Sequence, residues 1–298
     1  ASVVTYAQLL RRHLANVSLA LGRKEPVAMS CNNGGHIWDS VTTNFDFGMG
    51  ELTHDLCTPD QLRFIFLHPS QGGRLPQGKK QVVTMPKTSA ISTSDKILTR
   101  KGIAISYALG GHMLVPWDIY LPTPDAMRFY SNVSDFRDMF EMITANAKAL
   151  GRFDQVLHTW TAGPEVLRIT TMQNAGGPSD IMFVIKGGSD QPGHQLPLGN
   201  RTEAVLVHFF DWAWGNGTAV YPLPETPSTP PFTVSLNSSA LSSWGDSRDL
   251  NSVSVYWLNS TSGDEVEVGA TWSAGIINFQ VFNALNPWSM YVVQMQFA

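Results

Sequence analysis

The feature that most constrains this chain is a change of periodicity near residue 155. Ahead of it, short continuous apolar runs alternate with helical stretches. Beyond it, helical spacing stops and β-rich runs follow one another between clusters of Gly, Pro, Asn and Ser. Continuous apolar strands joined by helices belong to a parallel sheet covered by helices, whereas alternating strands joined by turns belong to antiparallel sheets. The expected fold class is therefore α/β plus all-β, in two domains spanning residues 1–156 and 157–298.

In the first domain, Tyr6, Leu10, Leu14, Val17 and Leu21 predict a helix over 3–21 with that set on its buried face and Asn16 well off it. "PVAMSC", "TNFDFG", "KQVVTMP" and "HMLVPWD" read as four strands. Strands near residues 26–31, 43–48, 80–86 and 112–118 should lie side by side and parallel, because each connection is long enough for a helical crossover. In "CTPDQLRFIFLH", Thr58 is a natural N-cap and Pro59 takes the first helical position. Further helices are expected from about Ser94 to Leu109 and from about Asp135 to Leu150, the last capped by Ser134. In the second domain "VLRITTM", "DIMFVIKG", "EAVLVHFFDW", "FTVSLN", "SVSVYWL", "EVEVGATW", "IINFQVF" and "MYVVQMQF" point to an antiparallel β-sandwich.

Composition excludes several functions. With 15% charged residues, a net charge of −4 and no Lys/Arg cluster, the chain lacks the basic surface that nucleic-acid binding requires. No apolar run reaches the length of a membrane span, and neither a span nor a signal peptide is expected. Zinc-ligand spacing, a glycine-rich phosphate loop and a G-x-S-x-G elbow are all missing, so no metal and no cofactor is expected.

Six asparagines, Asn16, Asn132, Asn200, Asn216, Asn237 and Asn259, stand in N-x-Ser/Thr acceptor patterns. Chance would give roughly two or three for this content of Asn, Ser and Thr, so a secreted, extracellular glycoprotein is the expectation. Cys31 and Cys57 suit either a bridge or two buried thiols.

Several motifs in succession carry a resemblance. "FDFGMGEL", "GKKQVVTMPK", "RKGIAISYALGGHMLVPWDIYLP" and then "AVLVHFFDW" with "PFTVSLN" resemble the second half of a (β/α)8 glycoside hydrolase barrel followed by its C-terminal β-sandwich. The resemblance implies a partial (half) TIM-type barrel, since four strands are found where eight are needed. It also implies a carbohydrate substrate, and another protein chain that supplies the missing half or a self-association that does so.

In such barrels the reactive groups stand at the carboxyl ends of strands. That rule selects Asn32 and Asn33, Asp46 and Glu51, Lys87, and Trp117 with Asp118. Glycoside hydrolysis uses two carboxyl groups, one to protonate the leaving oxygen and one ionised as nucleophile or base. Glu51 is the expected acid, projected by a turn at Gly48 and Gly50, and Asp46 or Asp118 the ionised partner. Trp38 and Trp117 suit stacking on a sugar ring, while His54 and Lys87 suit hydrogen bonds to its hydroxyls. Each also has a plain structural alternative: strand-end carboxylates, packed indoles and solvated loop groups. A glycosidase-derived, non-catalytic assembly protein competes with the enzyme. A sugar-binding module with Trp212, Trp214, Trp257 and Trp272 as a platform is a third reading.

Overall fold

The computed structural model describes residues 3–24, 29–32, 44–52, 57–67, 80–85, 92–114, 135–171, 181–188, 201–213, 231–241, 250–282, 285 and 287–297. The chain separates into two compact units, residues 1–132 and 133–298. The architecture is mixed, with a parallel α/β layer in the first and antiparallel sheets in the second.

Four strands, β1 (Ser30–Asn32), β2 (Phe47–Glu51), β3 (Lys80–Thr84) and β4 (His112–Leu114), form one sheet in the order β1-β2-β3-β4. All three pairings are parallel. The four strands thus lie side by side and parallel, as their connections require. The second strand begins later than its apolar run suggests. Asn44–Asp46 form a bend ahead of it, and Gly48 and Gly50 are buried positions inside the strand rather than a turn beyond it.

Helix α2 (Pro59–Leu67) joins β2 to β3, and α3 (Thr93–Ala108) joins β3 to β4. The Gln61 amide donates to Thr58 Oγ1 and the Leu62 amide to the Thr58 carbonyl, so Thr58 caps α2 as its sequence predicts. A capping box starts α3: the Asp95 amide donates to Ser92 Oγ, and the Ser92 amide donates to the Asp95 carboxylate. Gly102 of α3 lies over Met85, Met113 and Cys57, which fixes the helix-facing side of the sheet. Gly111 sits so close to the Phe66 ring that a Cβ there would fall inside it, and this contact seats α2 beside the start of β4. Cys57 is a free, buried thiol, and burial pushes its pKa up to about 12, so it is inert toward neutral-pH thiol chemistry.

Helix α1 (Val3–Ala20) packs differently from its apolar spacing. Ala7 and Ser18 are buried, and Leu10, Arg11 and Leu14 are half-buried. Tyr6, Val17 and Leu21, expected inside, are exposed. The reason is a polar anchor. Arg11 donates to the Asn44 carbonyl at 3.1 Å and to Asp46 Oδ1 at 2.6 Å, while Asp46 Oδ2 accepts the Met29 amide at 2.8 Å. Turning Arg11 inward rotates the small-residue face of the helix inward with it. Asp46 raises the Arg11 pKa through that hydrogen bond, against a smaller opposing effect of burial.

In the second unit, α4 (Arg137–Ala145) and α5 (Ala147–Arg152) replace the single helix expected there. They break at Asn146, whose Nδ2 donates to the carbonyls of Met142 and Asn259. Ser134 lies outside the described residues. Ten strands follow: β5 (Gln155–Thr159), β6 (Leu167–Thr171), β7 (Ile181–Gly187), β8 (Arg201–Asp211), β9 (Phe232–Asn237), β10 (Leu250–Leu258), β11 (Glu265–Val268), β12 (Ala270–Ser273), β13 (Ile276–Val281) and β14 (Trp288–Phe297). They form a six-stranded sheet, β11-β10-β14-β8-β7-β5, and a four-stranded sheet, β12-β13-β9-β6. Every pairing is antiparallel.

Phe183, Val207, Phe209, Val255, Tyr291 and Val293 of the larger sheet share one core with Phe232, Val234, Leu236, Ile277 and Phe279 of the smaller. "EVEVGATW" is not one strand: Gly269 divides it, with β11 in one sheet and β12 in the other. Ala274 and Gly275, both at positive φ, then make the two-residue turn into β13.

The opposite face of the larger sheet is buried as well, at Val184, Lys186, Leu206, His208, Phe210, Met290 and Val292. His208, wholly buried, accepts the Trp288 indole N–H on Nδ1 at 3.1 Å, and its ring lies nearly parallel to those of Phe210 and Trp288 in a three-ring cluster. With Nδ1 occupied as an acceptor, the ring is neutral and carries its proton on Nε2. Burial, and secondarily the charge of Lys186, hold its pKa well below the ordinary 6.5.

Two predictions follow from these anchors. Asp46→Ala removes the acceptor of both Arg11 and the Met29 amide, and chemical denaturation should show a loss of about 1–2 kcal/mol. For His208 the unfolded state binds a proton below pH 6.5 that the folded state refuses, so stability is fully present above 6.5 and declines as pH falls. That contribution should be lost progressively as pH falls from 7 toward 5. The drop should vanish in His208→Gln, measured as the difference in pH dependence of unfolding between the two proteins.

Candidate functional site

Helices α2 and α3 cover one side of the parallel sheet. Successive parallel crossovers of the same hand and direction place α2 and α3 on the same face. Residues paired across a sheet share a face and alternate along each strand. Because Met85 and Met113 face Gly102, the helix side carries Gln81, Val83, Met85 and Met113, together with Gly48 and Gly50. The other side carries Phe47, Met49 and Glu51 on β2 with Val82 and Thr84 on β3, and His112 on β4.

Glu51 is the last residue of β2, exposed, on that helix-free side. It pairs in register with Thr84, and Thr84 pairs with Leu114, so these three occupy one row at the carboxyl rim of the sheet. One row below are Asn32, Met49, Val82 and His112. The backbone at the rim is tied by the Leu52 amide, which donates to the Thr84 carbonyl at 2.9 Å. Tyr107 meets the His112 ring edge-on at 5.1 Å, and burial raises the pKa of this tyrosine.

Asp46 stands elsewhere. It precedes β2, at the amino end of the strand that Glu51 terminates, about 16 Å away along the strand at 3.3 Å per residue. Its carboxylate holds Arg11 and the Met29 amide. The expectation that Asp46 follows the second strand and shares a rim with Glu51 rested on a strand that starts four residues too early, and the register removes that pairing.

Asn32 ends β1, in register with Met49. Asn33, Trp38, His54, Lys87, Trp117 and Asp118 lie outside the described residues. So do Trp214 and the acceptor asparagines Asn132, Asn200 and Asn216. Asn16 is exposed on α1. The Asn237 Nδ2 donates to the Glu165 carbonyl, and its Oδ1 accepts both the amide and the hydroxyl of Ser239. Asn259 accepts the amides of Thr261 and Ser262 in a tight turn ahead of Gly263. Of the indoles named as a platform, Trp257 packs against the shared core and Trp272 is 40% exposed on β12, so they do not make one surface.

One polar group in the rim row carries no signal in the sequence. Thr84 reads as an ordinary β-branched residue of "KQVVTMP"; only the pairing register puts it beside Glu51.

No family model matches the sequence, and no curated protein matches it. Solved structures that overlay it include a cycloisomaltooligosaccharide glucanotransferase of Paenibacillus sp. complexed with cycloisomaltoheptaose, at 14% identity and a TM-score of 0.41 over 70% of this chain. The catalytic domain of a GH30 xylanase C from Talaromyces cellulolyticus overlays the whole chain at 10% identity and a TM-score of 0.38. The chain spans 27% of the length of the first and 57% of the second. At these scores neither overlay assigns an activity to the chain.

Proposed function

We propose that this chain is a secreted, glycoside hydrolase-like glycoprotein that engages carbohydrate at the carboxyl rim of its parallel sheet, with Glu51 as the proton donor to a glycosidic oxygen. The observation that carries the reading is Glu51 itself: an exposed carboxylate ending β2, on the face the helices leave open. In parallel β/α architectures that rim is where reactive groups collect. On this reading the four strands are half of a (β/α)8 barrel and the second unit is its β-sandwich. Asp118 or a carboxylate from another chain supplies the ionised partner, because Asp46 is committed to Arg11 at the far end of the strand.

A non-catalytic reading, an extracellular assembly glycoprotein derived from such an enzyme, has one specific support. Tyr6 and Leu9 near the start of the first helix, and Leu19 and Leu21 at its end, are more than half exposed, apolar groups available for contact with another chain.

The two readings separate on a panel of nitrophenyl α- and β-glycosides. An enzyme releases nitrophenol, and Glu51→Gln should lower that rate by roughly two to four orders of magnitude while leaving the thermal midpoint unchanged. Neither binding nor release from the wild-type chain favours the assembly glycoprotein, binding without release favours a sugar-binding module, and release undiminished by Glu51→Gln removes Glu51 from the chemistry. The secretory part is tested separately. Peptide mapping of native material after enzymatic deglycosylation should find modified asparagine at Asn16, exposed on its helix, and unmodified asparagine at all six acceptors would overturn it.

A further inference from the structure

The six-stranded sheet ends at β11, which pairs with β10 on one side and with no described strand on the other. An edge strand offers a row of unpaired N–H and C=O groups to any extended chain, and proteins blunt such rows with bulges or charges. The opposite edge of the same sheet is blunted by a bulge in β5 between Val156 and His158. Strand β11 has none: its four residues pair with Val255–Leu258 without a register shift. Glu265, Val266 and Glu267 are exposed, Val266 by 42%. Just past the strand, the place a Cβ would take on Gly269 has nothing within 4 Å of it. The margin is open to an incoming chain.

Charge decides which chain fits. Among the described residues, Glu265 and Glu267 are the only charged side chains in β9 through β14, and Asp264 precedes them in the turn. None of the three makes an ion pair with a described residue. Alternation puts both glutamates on one face, in register with Leu258 and Tyr256, and Val266 with Val268 on the face of the shared core. Residues opposite each other in a ladder share a face, so a second copy offering its own β11 sets carboxylate against carboxylate, which is destabilising. A strand with a cation at every second position does the reverse: it sets each cation against a glutamate and an apolar side chain against Val266.

We infer that β11 is a docking edge for a basic, extended segment of another protein, which adds a strand to the six-stranded sheet. Lys or Arg at alternate positions faces Glu265 and Glu267, and the residue between them is apolar. In strand addition the main-chain hydrogen bonds supply attachment and the alternate side chains supply selectivity. The same two carboxylates that keep copies of this chain apart thus choose its partner. The surface lies wholly in the second unit and does not depend on the carbohydrate reading.

The test uses the whole chain and three short synthetic peptides with blocked ends: alternating Lys and Val, alternating Glu and Val, and the Lys and Val composition with its lysines in one block. Fluorescence anisotropy of the labelled peptides gives affinity, and amide hydrogen exchange of the chain locates the contact. The alternating Lys and Val peptide should bind at least about tenfold more tightly than the other two and slow exchange in β11. Glu265→Lys combined with Glu267→Lys should weaken that peptide about tenfold and turn the preference toward the Glu and Val peptide. Glu265→Gln combined with Glu267→Gln should fall between, and because both residues are exposed the thermal midpoints of both variants should match wild type. No binding of the alternating Lys and Val peptide overturns the inference. Equal binding of the blocked peptide, or binding without slowed exchange in β11, reduces the contact to charge attraction and also overturns it, as does an affinity that neither pair of substitutions changes.

Discussion

Parallel strands cannot be joined by a tight turn, and the rest of the first unit depends on that constraint. Each link from β2 to β3 to β4 must travel back along the sheet, and same-handed crossovers lay both helices on one face. The covered face becomes a packed layer in which Gly102 admits Met85 and Met113, and Gly111 admits Phe66. The other face is left with a mixed row at its rim, where Glu51 is exposed and Thr84 is not. The site follows from the connectivity: strand direction places the carboxyl ends together, and register decides which side chains share them.

The second unit solves the opposite problem. Its antiparallel strands can turn tightly, so two sheets close over one core, and the chain crosses between them at Gly269 with almost no connecting segment. The central strands β7, β8 and β14 of the larger sheet are buried on both faces, where a polar side chain can find a partner only within the layer. His208 does so through Trp288, and the hydrogen bond fixes its tautomer as well as its neutrality. In the sequence a lone histidine such as His208 reads as an ordinary structural or surface residue. Here burial on the second face of the sheet makes it a packing residue with a defined protonation state.

What was legible in the sequence is what periodicity encodes. Continuous apolar runs gave the four parallel strands and their order, Thr58 and Pro59 gave the start of α2, and alternation gave the strands of both antiparallel sheets. What was not legible is what depends on pairing. "FDFGMGEL" is apolar enough at both ends to begin at residue 43 or at residue 47, and only hydrogen bonding to β1 and β3 selects the later frame. That frame moves Asp46 from the rim to the opposite end and turns two glycines from a bend into strand interior. The face of α1 failed for a related reason: a spacing rule ranks apolar residues, and it gives no weight to an arginine that must reach an inward carboxylate. Gln155–Thr159 was missed because its side chains are mostly half-buried or exposed.

The separation between the two carboxylates also limits what one can do to the other. At about 16 Å in water, two unit charges interact by roughly 0.3 kcal/mol, and physiological salt screens this further because the distance exceeds the ~8 Å Debye length. Asp46 is moreover balanced by Arg11. Its charge is spent on anchoring the first helix, and it exerts almost no influence on Glu51. Among the described residues, the cross-strand neighbours in the Glu51 row are Thr84 and, beyond it, Leu114. The register that places Asp46 at the amino end of the strand is the same one that sets Glu51 beside Thr84 at the carboxyl rim, so one pairing decision commits the aspartate to anchoring the first helix and leaves the glutamate at the other end.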